Sequence, residues 1–350
     1  MILSDQQLNT LAVVGRASSA LSILGVATII ITFSFSKNFR NPMHRLIFIN
    51  AFYNLFDFIA TMISVSGPNA GDESALCRFQ AFSLQMFPLA DVFWTLAMAY
   101  DVFLIVFYHY DAEDLRRLEF KFITIITALV FIPALIFLFI RTPAKGPMYG
   151  SETIWCSISP QWVVFRILFY YGPVWLLIAF AMILYCLVGI RVFKLRQNLN
   201  IGRADHIQLS SKTSIENHSN TKTSSTLQDD EISIHTTSEH TIESPKSPIT
   251  PPPTSRIHPR PNHHQSGVSF RHYVLMPLIF FLVMLSTWVA PTINRVQAFI
   301  RHDQTSYPLL VAVVATGSLR GFWNGIIFIT IGMKGRRRSG RLANHITSIT

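Results

Sequence analysis

The sequence predicts an all-α fold: a seven-transmembrane helix bundle with its N-terminus outside and its C-terminus cytoplasmic. Three observations carry this. Half of the 350 residues are hydrophobic and only 14% are charged, against about 25% in soluble domains, and the mean hydropathy is +0.36. The apolar residues fall into seven runs, each long enough to supply the roughly 20 residues that a helix needs to cross a bilayer. Basic residues cluster between the runs on alternate sides, where they set topology.

The runs are 11–35, 46–66, 76–107, 120–140, 163–193, 273–299 and 309–331. Residues 1–10 form a short outer segment. The first run is long enough to span and lacks a small-residue cleavage site, so it reads as a helix and not as a signal peptide. The second contains Asn50, Asn54 and Asp57, yet Leu46, Ile47, Phe48, Ile49, Phe52, Leu55 and Phe56 still offer lipid a surface. Lys37, Arg40 and Arg45 follow the first run, and Arg116, Arg117 and Lys121 follow the third. Arg191, Lys194, Arg196 and Arg203 follow the fifth. Lys334, Arg336, Arg337, Arg338 and Arg341 lie in the tail, 333–350. The opposite connections hold only Arg78, Arg141, Lys145 and Arg301. The net charge of +10 therefore reports membrane topology and argues against a nucleic-acid partner.

Residues 198–267 separate the block 11–197 from the block 268–332. They are rich in Ser, Thr, His, Asn and Pro and nearly free of aromatics, so they are expected to form a disordered third cytoplasmic loop. Ser244, Ser247 and Thr250 each precede proline and are candidate sites for a proline-directed kinase; an unregulated spacer is the alternative. The sequon Asn217-His218-Ser219 falls in this cytoplasmic loop and is read as unused. His258, His263 and His264 read as part of a flexible polar tract. No metal site and no cofactor are expected.

Cys186 lies inside the fifth run and is expected to be a small buried residue. Cys77 opens the third run on the outer side, and Cys156 lies in the outer loop after the fourth. Both face an oxidising compartment, so a disulfide is expected. In the third run Cys77, Gln80, Leu84, Phe87, Asp91, Trp94, Met98 and Asp101 recur at three- and four-residue steps and share one helix face, while Gln85 lies on another. Asp91 falls near mid-membrane, where a charge is costly and faces a wet cavity or a partner. It is either a ligand contact beneath an outer cavity or a structural hydrogen-bond acceptor for Asn50, Asn54 or a neighbouring helix. Asp57 carries the same two readings. Asp101 lies about 36 Å below Cys77 at the α-helical rise. It is either a cytoplasmic lock with His44 or Arg45 or an interfacial carboxylate.

Arg166, Arg295 and Arg320 lie toward the outer ends of the fifth, sixth and seventh runs. Together they are candidates to receive an anionic ligand; the alternative is pairing of Arg320 with Asp91 or Asp57 and headgroup contacts for the other two. Trp155, Tyr170, Tyr171 and Trp175 suit an interfacial aromatic belt. Tyr170 and Trp288 join Gln80, Asp91 and Trp94 as further candidates for the cavity wall. Pro88, Pro133, Pro173 and Pro291 can kink their helices. No metalloprotease, hydrolase or nucleotide-loop motif appears, so no enzymatic activity is expected.

These motifs resemble those of the cyclic-AMP-receptor-like, or class E-like, G-protein-coupled receptors of slime moulds and fungi. The third-helix likeness runs from Leu76-Cys77-Arg78-Phe79-Gln80 through Gln85-Met86-Phe87 to Asp91-Val92-Phe93-Trp94, with Leu115-Arg116-Arg117-Leu118-Glu119 just beyond. Lys145-Gly146-Pro147-Met148-Tyr149-Gly150, Trp155-Cys156, Arg166 and Tyr171-Gly172-Pro173-Val174-Trp175 resemble that family's second outer loop and fifth helix. Gly321-Phe322-Trp323-Asn324 resembles its seventh. The pattern departs at Ser157 and at Phe328, where aromatic and tyrosine residues are common. The resemblance implies a plasma-membrane receptor that passes an extracellular small-molecule signal (a cyclic nucleotide, a nutrient or another) to a heterotrimeric G protein, with Cys77 and Cys156 paired. Arg116, Arg117, Arg191, Lys194 and Arg271, at the cytoplasmic ends of the helices, are the candidate G-protein contacts. The rival reading is a multi-pass transporter or channel that uses Asp57, Asp91 and Arg320 as its path.

Overall fold

A computed structural model describes residues 3–36, 39, 42–216, 270–300 and 306–347. Among them, seven helices are long and apolar enough to cross a membrane: Asp5–Phe35, Pro42–Ile63, Ala75–Tyr108, Ala112–Phe137, Pro160–Lys194, Leu275–Gln297 and Tyr307–Met333. They are referred to as spans one to seven. The chain divides into two units, Met1–Lys194 with Gly267–Thr350, and Leu195–Ser266; the seven spans belong to the first.

Several helices outrun their apolar cores, because hydropathy locates lipid while caps and propensity locate helix ends. Span one starts six residues before its apolar run. There the Ser4 hydroxyl accepts from the Gln7 amide at 3.3 Å and Gln7 Oε1 accepts from the Ser4 amide at 3.0 Å, a reciprocal cap. Span four starts at Ala112 with Glu113 and Asp114 in its first turn, where acids complement the helix dipole. The largest difference concerns residues 198–267, expected to be without structure throughout. The helix Gly172–Glu216 runs into that segment. Residues 195–216 contain no proline and one glycine, and extending a formed helix is far cheaper than nucleating one. Ser244, Ser247 and Thr250 lie outside the described residues.

Side-chain size sets how close the helices come. A Cβ at Gly25 in span one would overlap the Gly321 carbonyl, and one at Gly325 would sit 2.8 Å from the Gly25 Cα. Spans one and seven therefore touch backbone to backbone. Span seven breaks at Leu319, between helices Tyr307–Ser318 and Arg320–Thr347. The Ser22 hydroxyl of span one fills the break: it donates to the Ser318 carbonyl and accepts from the Phe322 amide, 3.1 Å away. Those two groups would be i and i−4 partners in an unbroken helix.

Span five has its own irregularity. Val163–Arg166 is α-helical, Ile167–Tyr171 is a π turn, and α-helix resumes at Gly172. Pro173 has no amide hydrogen to offer the Phe169 carbonyl four residues back. Gln85 of span three supplies the missing donor, its Nε2 lying 3.0 Å from that oxygen. Cys186, expected to be buried, is exposed, because the helical register turns it outward beside the buried Tyr185.

Cys77 and Cys156 are disulfide-bonded. Cys156 opens the second strand of a hairpin, Tyr149–Ser151 paired antiparallel with Cys156–Ile158. Gln80 fastens the same point, donating to the carbonyls of Ser64 (3.1 Å) and Ala60 (3.3 Å) while accepting from the Cys156 amide (2.9 Å). Asp72 holds the other strand through the Ser151 amide at 2.7 Å. Tyr149 donates to the Ala134 carbonyl at 3.0 Å, and burial pushes its phenol pKa up, which keeps it a neutral donor.

Candidate functional site

Beneath this hairpin lies a cavity of about 140 Å³, lined by residues of spans two, three, five, six and seven and by Trp155, Ser157 and Ile158 of the loop. An engineered apolar cavity of about 150 Å³ takes up benzene, so the space suits a small molecule. Of the candidates, Arg166, Tyr170, Trp288, Arg295 and Arg320 line it. Gln80, Asp91 and Trp94 are buried outside its lining. Most of the polar stripe of span three turns toward span two instead. Gln80 reaches Ala60 and Ser64, Asp91 reaches Asn50 and Asn54, and Trp94 lies 5.8 Å from the Tyr53 ring. Gln85 and Pro88, on another face, meet the cavity. Periodicity identifies a face without saying which neighbour covers it.

Arg320 forms the cavity floor. Its Nη2 lies 2.6 Å from Asp57 Oδ2 and 3.3 Å from Asn54 Oδ1, and its Nε lies 3.2 Å from Asp91 Oδ2. Asn50 and Asn54 donate to the other Asp91 oxygen at 2.7 and 2.8 Å. The guanidinium also sits 5.7 Å from the Phe58 ring. One cation thus joins spans two, three and seven at the point where span seven breaks. Buried charges persist only when paired, and here one cation is paired with two carboxylates, while Arg320 Nε and Asp57 Oδ1 stay without a hydrogen-bond partner.

A second charge cluster forms the mouth. Glu152, at the hairpin turn, pairs with Arg166 of span five and lies 3.5 Å from Arg295 Nη2 of span six. Arg295 Nε donates to the Tyr171 hydroxyl at 2.6 Å, with the guanidinium 5.0 Å from that ring. Arg166 also donates to the Ile158 carbonyl. Sequence reasoning missed Glu152, although it is the single acid in residues 141–162. It also missed Gln85, whose role exists only because Pro173 lies across the cavity.

At the opposite end Arg45 pairs with Glu119 of span four at 2.6 Å, not with Asp101 as one reading of the sequence has it. Arg45 follows His44, and consecutive helical residues point about 100° apart. The His44 ring packs edge-on against Phe328 at 5.1 Å and Phe39 at 5.6 Å. Asp101 is fully buried with neither carboxylate oxygen hydrogen-bonded. Arg116, Arg117, Arg191 and Lys194 are exposed, and Arg271 lies in the first turn of helix Phe270–Ile300.

The slime mold cyclic AMP receptor family model matches residues 3–210. Cyclic AMP receptor-like protein A of Dictyostelium discoideum is 27% identical over 197 residues, which cover 56% of this chain and 49% of that protein. The match thus spans about half the length of this curated relative. The crystal structure of squid rhodopsin aligns with a TM-score of 0.60 over 99% of this chain and 88% of its own, at 12% identity, which shows a shared fold. With more than half of its length matched, seven membrane-spanning helices among its described residues and a disulfide-pinned loop over a cavity, the chain belongs to the slime mold cyclic AMP receptor family.

Proposed function

We propose that this chain is a plasma-membrane G-protein-coupled receptor, oriented with its disulfide end outside, whose cavity receives a small extracellular molecule. The observation that carries the reading is the cavity floor. Arg320 lines the cavity and at the same time ties spans two, three and seven together, so a bound molecule meets the group that holds three helices in register. A ligand shifts a two-state bundle only through differential contacts with the two states, and this floor offers such contacts. The lining also contains buried donors without partners, Arg166 Nε and Trp288 Nε1, which favours a ligand rich in acceptors. Cyclic AMP, which the relative's name mentions, is such a molecule and is the first to test. The shift would be read by a heterotrimeric G protein at the opposite end, where Arg116, Arg117, Arg191 and Lys194 are exposed. Kinases acting on the loop that contains Ser244, Ser247 and Thr250 would tune that contact through added phosphate charge.

The test is GTP-analogue loading of reconstituted Gαβγ by membranes containing the chain, with cyclic nucleotides, sugars, amino acids and short organic acids added in turn. Ligand-dependent loading is expected. No loading across the panel, from correctly displayed and disulfide-bonded protein, would turn attention to uptake assays and the transporter reading.

A further inference from the structure

We propose that Glu152 is a tethered competitor: a carboxylate built into the loop that occupies the anion subsite formed by Arg166 and Arg295, and that a small carboxylate or phosphate displaces on binding. This rests on the reading of the cavity as the ligand site and adds how that site is kept occupied and what chemistry empties it.

The argument begins with position. The amide of Glu152 donates to the Trp155 carbonyl at 2.8 Å, closing the turn of the hairpin. The next strand begins at Cys156, bonded to Cys77, so the disulfide and the Asp72 bond to Ser151 fix the backbone from which Glu152 reaches down. The side chain itself is not held elsewhere. Its two oxygens meet cations from two different spans, Arg166 and Arg295. Fork-shaped guanidinium groups present this geometry to any carboxylate or phosphate.

Charge and unmet donors then point to an exogenous anion. Two guanidinium groups face one carboxylate, so the mouth keeps a net positive charge with Glu152 in place. The pairing is also incomplete. The Arg295 contact is long at 3.5 Å, and Arg166, only 6% exposed, leaves its Nε without a hydrogen-bond partner. A buried unmet donor on a charged group is costly, and a free anion, unlike a side chain tied to a turn, can settle to meet it. At the floor Arg320 Nε also lacks a hydrogen-bond partner, but two carboxylates, Asp57 and Asp91, already face that one cation and would repel a further anion. The mouth is therefore where an added anion gains most.

The experiment uses the full chain, purified in lipid-free micelles with its disulfide intact, and inorganic phosphate as the probe, so that lipid headgroups do not enter. Thermal protection is titrated against chloride at matched ionic strength. Glu152→Gln removes the competing charge but keeps the shape, and is expected to reach half-maximal protection at about tenfold lower phosphate than the unmodified chain, a coupling of ordinary allosteric size. Glu152→Asp, which draws the carboxylate back from Arg295, should fall between them and serves if the first variant folds poorly. Adding Arg166→Gln to Glu152→Gln should erase the gain. Glu152 variants that need as much phosphate as the unmodified chain, or a gain that survives loss of Arg166, would overturn the proposal. The readout needs no G protein, so a failure of GTP-analogue loading and a failure here are separate results.

Discussion

Arg320 sits where a positive charge has no solvent, and two carboxylates and an amide oxygen surround it. Removing one partner from such a group leaves the other charges buried and unpaired, which costs about 3–5 kcal/mol. Arg320→Ala is therefore expected to lower the unfolding midpoint of the purified protein sharply, whatever its ligand. An unchanged midpoint would mean that the cluster is solvated and contributes nothing. Gln85 presents a milder case: Gln85→Leu keeps the volume but strands the Phe169 carbonyl, at a cost of about 1–3 kcal/mol. Among single residues, Asp57, Asp91 and Arg320 stand out in the sequence, because charges inside apolar runs are rare. Glu152 does not, because an acid in a loop is ordinary until its neighbours are known.

Helices and loops make a sharper test possible. If Gln85 matters because Pro173 lacks an amide hydrogen, Pro173→Ala should restore the donor to Phe169 and make Gln85→Leu nearly harmless. A double-mutant cycle on unfolding free energy measures this coupling directly, and additive costs would refute the pairing of these two irregularities. The hairpin depends on the covalent link between the outer end of span three and the loop that precedes span five. Replacing both Cys77 and Cys156 by Ser should cost about 2–5 kcal/mol and most surface display, checked by antibody labelling of intact cells. Wild-type display would leave Gln80 and Asp72 as sufficient fasteners. These contacts explain why apolar runs predicted seven helices yet neither the π turn nor the break at Leu319: both depend on a partner in another helix, whereas the helix ends follow local caps.

At the scale of the bundle, the cavity and the opposite end are separate polar regions joined by apolar core around Trp94, Met98 and Phe328. Communication between them requires a two-state element biased from both sides. Asp101, buried without a hydrogen-bond partner, costs energy in the state described here, and a state that supplies a partner would gain from it. Asp101→Asn replaces the unpartnered carboxyl by an amide of the same shape and is expected to raise basal GTP-analogue loading by several-fold if the carboxyl takes part in the switch. Unchanged basal loading in well-displayed protein would exclude Asp101 from the switch. Replacing Arg116, Arg117, Arg191 and Lys194 together by Glu should lower G-protein loading without changing phosphate protection at the cavity.

The amino-acid order alone was enough for the number of spans, their sequence positions, the family resemblance and the pairing of Cys77 with Cys156. The spans follow from local composition, since lipid punishes departures from that pattern residue by residue, and the pairing follows from the outer placement of both cysteines and from what the resemblance implies. The partners of the buried charges were not legible in that way. Arg320 had Asp57 and Asp91 as rival partners and takes both, Arg45 takes Glu119, and the stripe of span three turns toward span two. Those outcomes depend on the rotation of each helix about its own axis. Close contacts between distant residues set that rotation, Gly25 against Gly321 and Ser22 against Ser318 among them. No window of sequence long enough to predict a helix contains both members of such a pair.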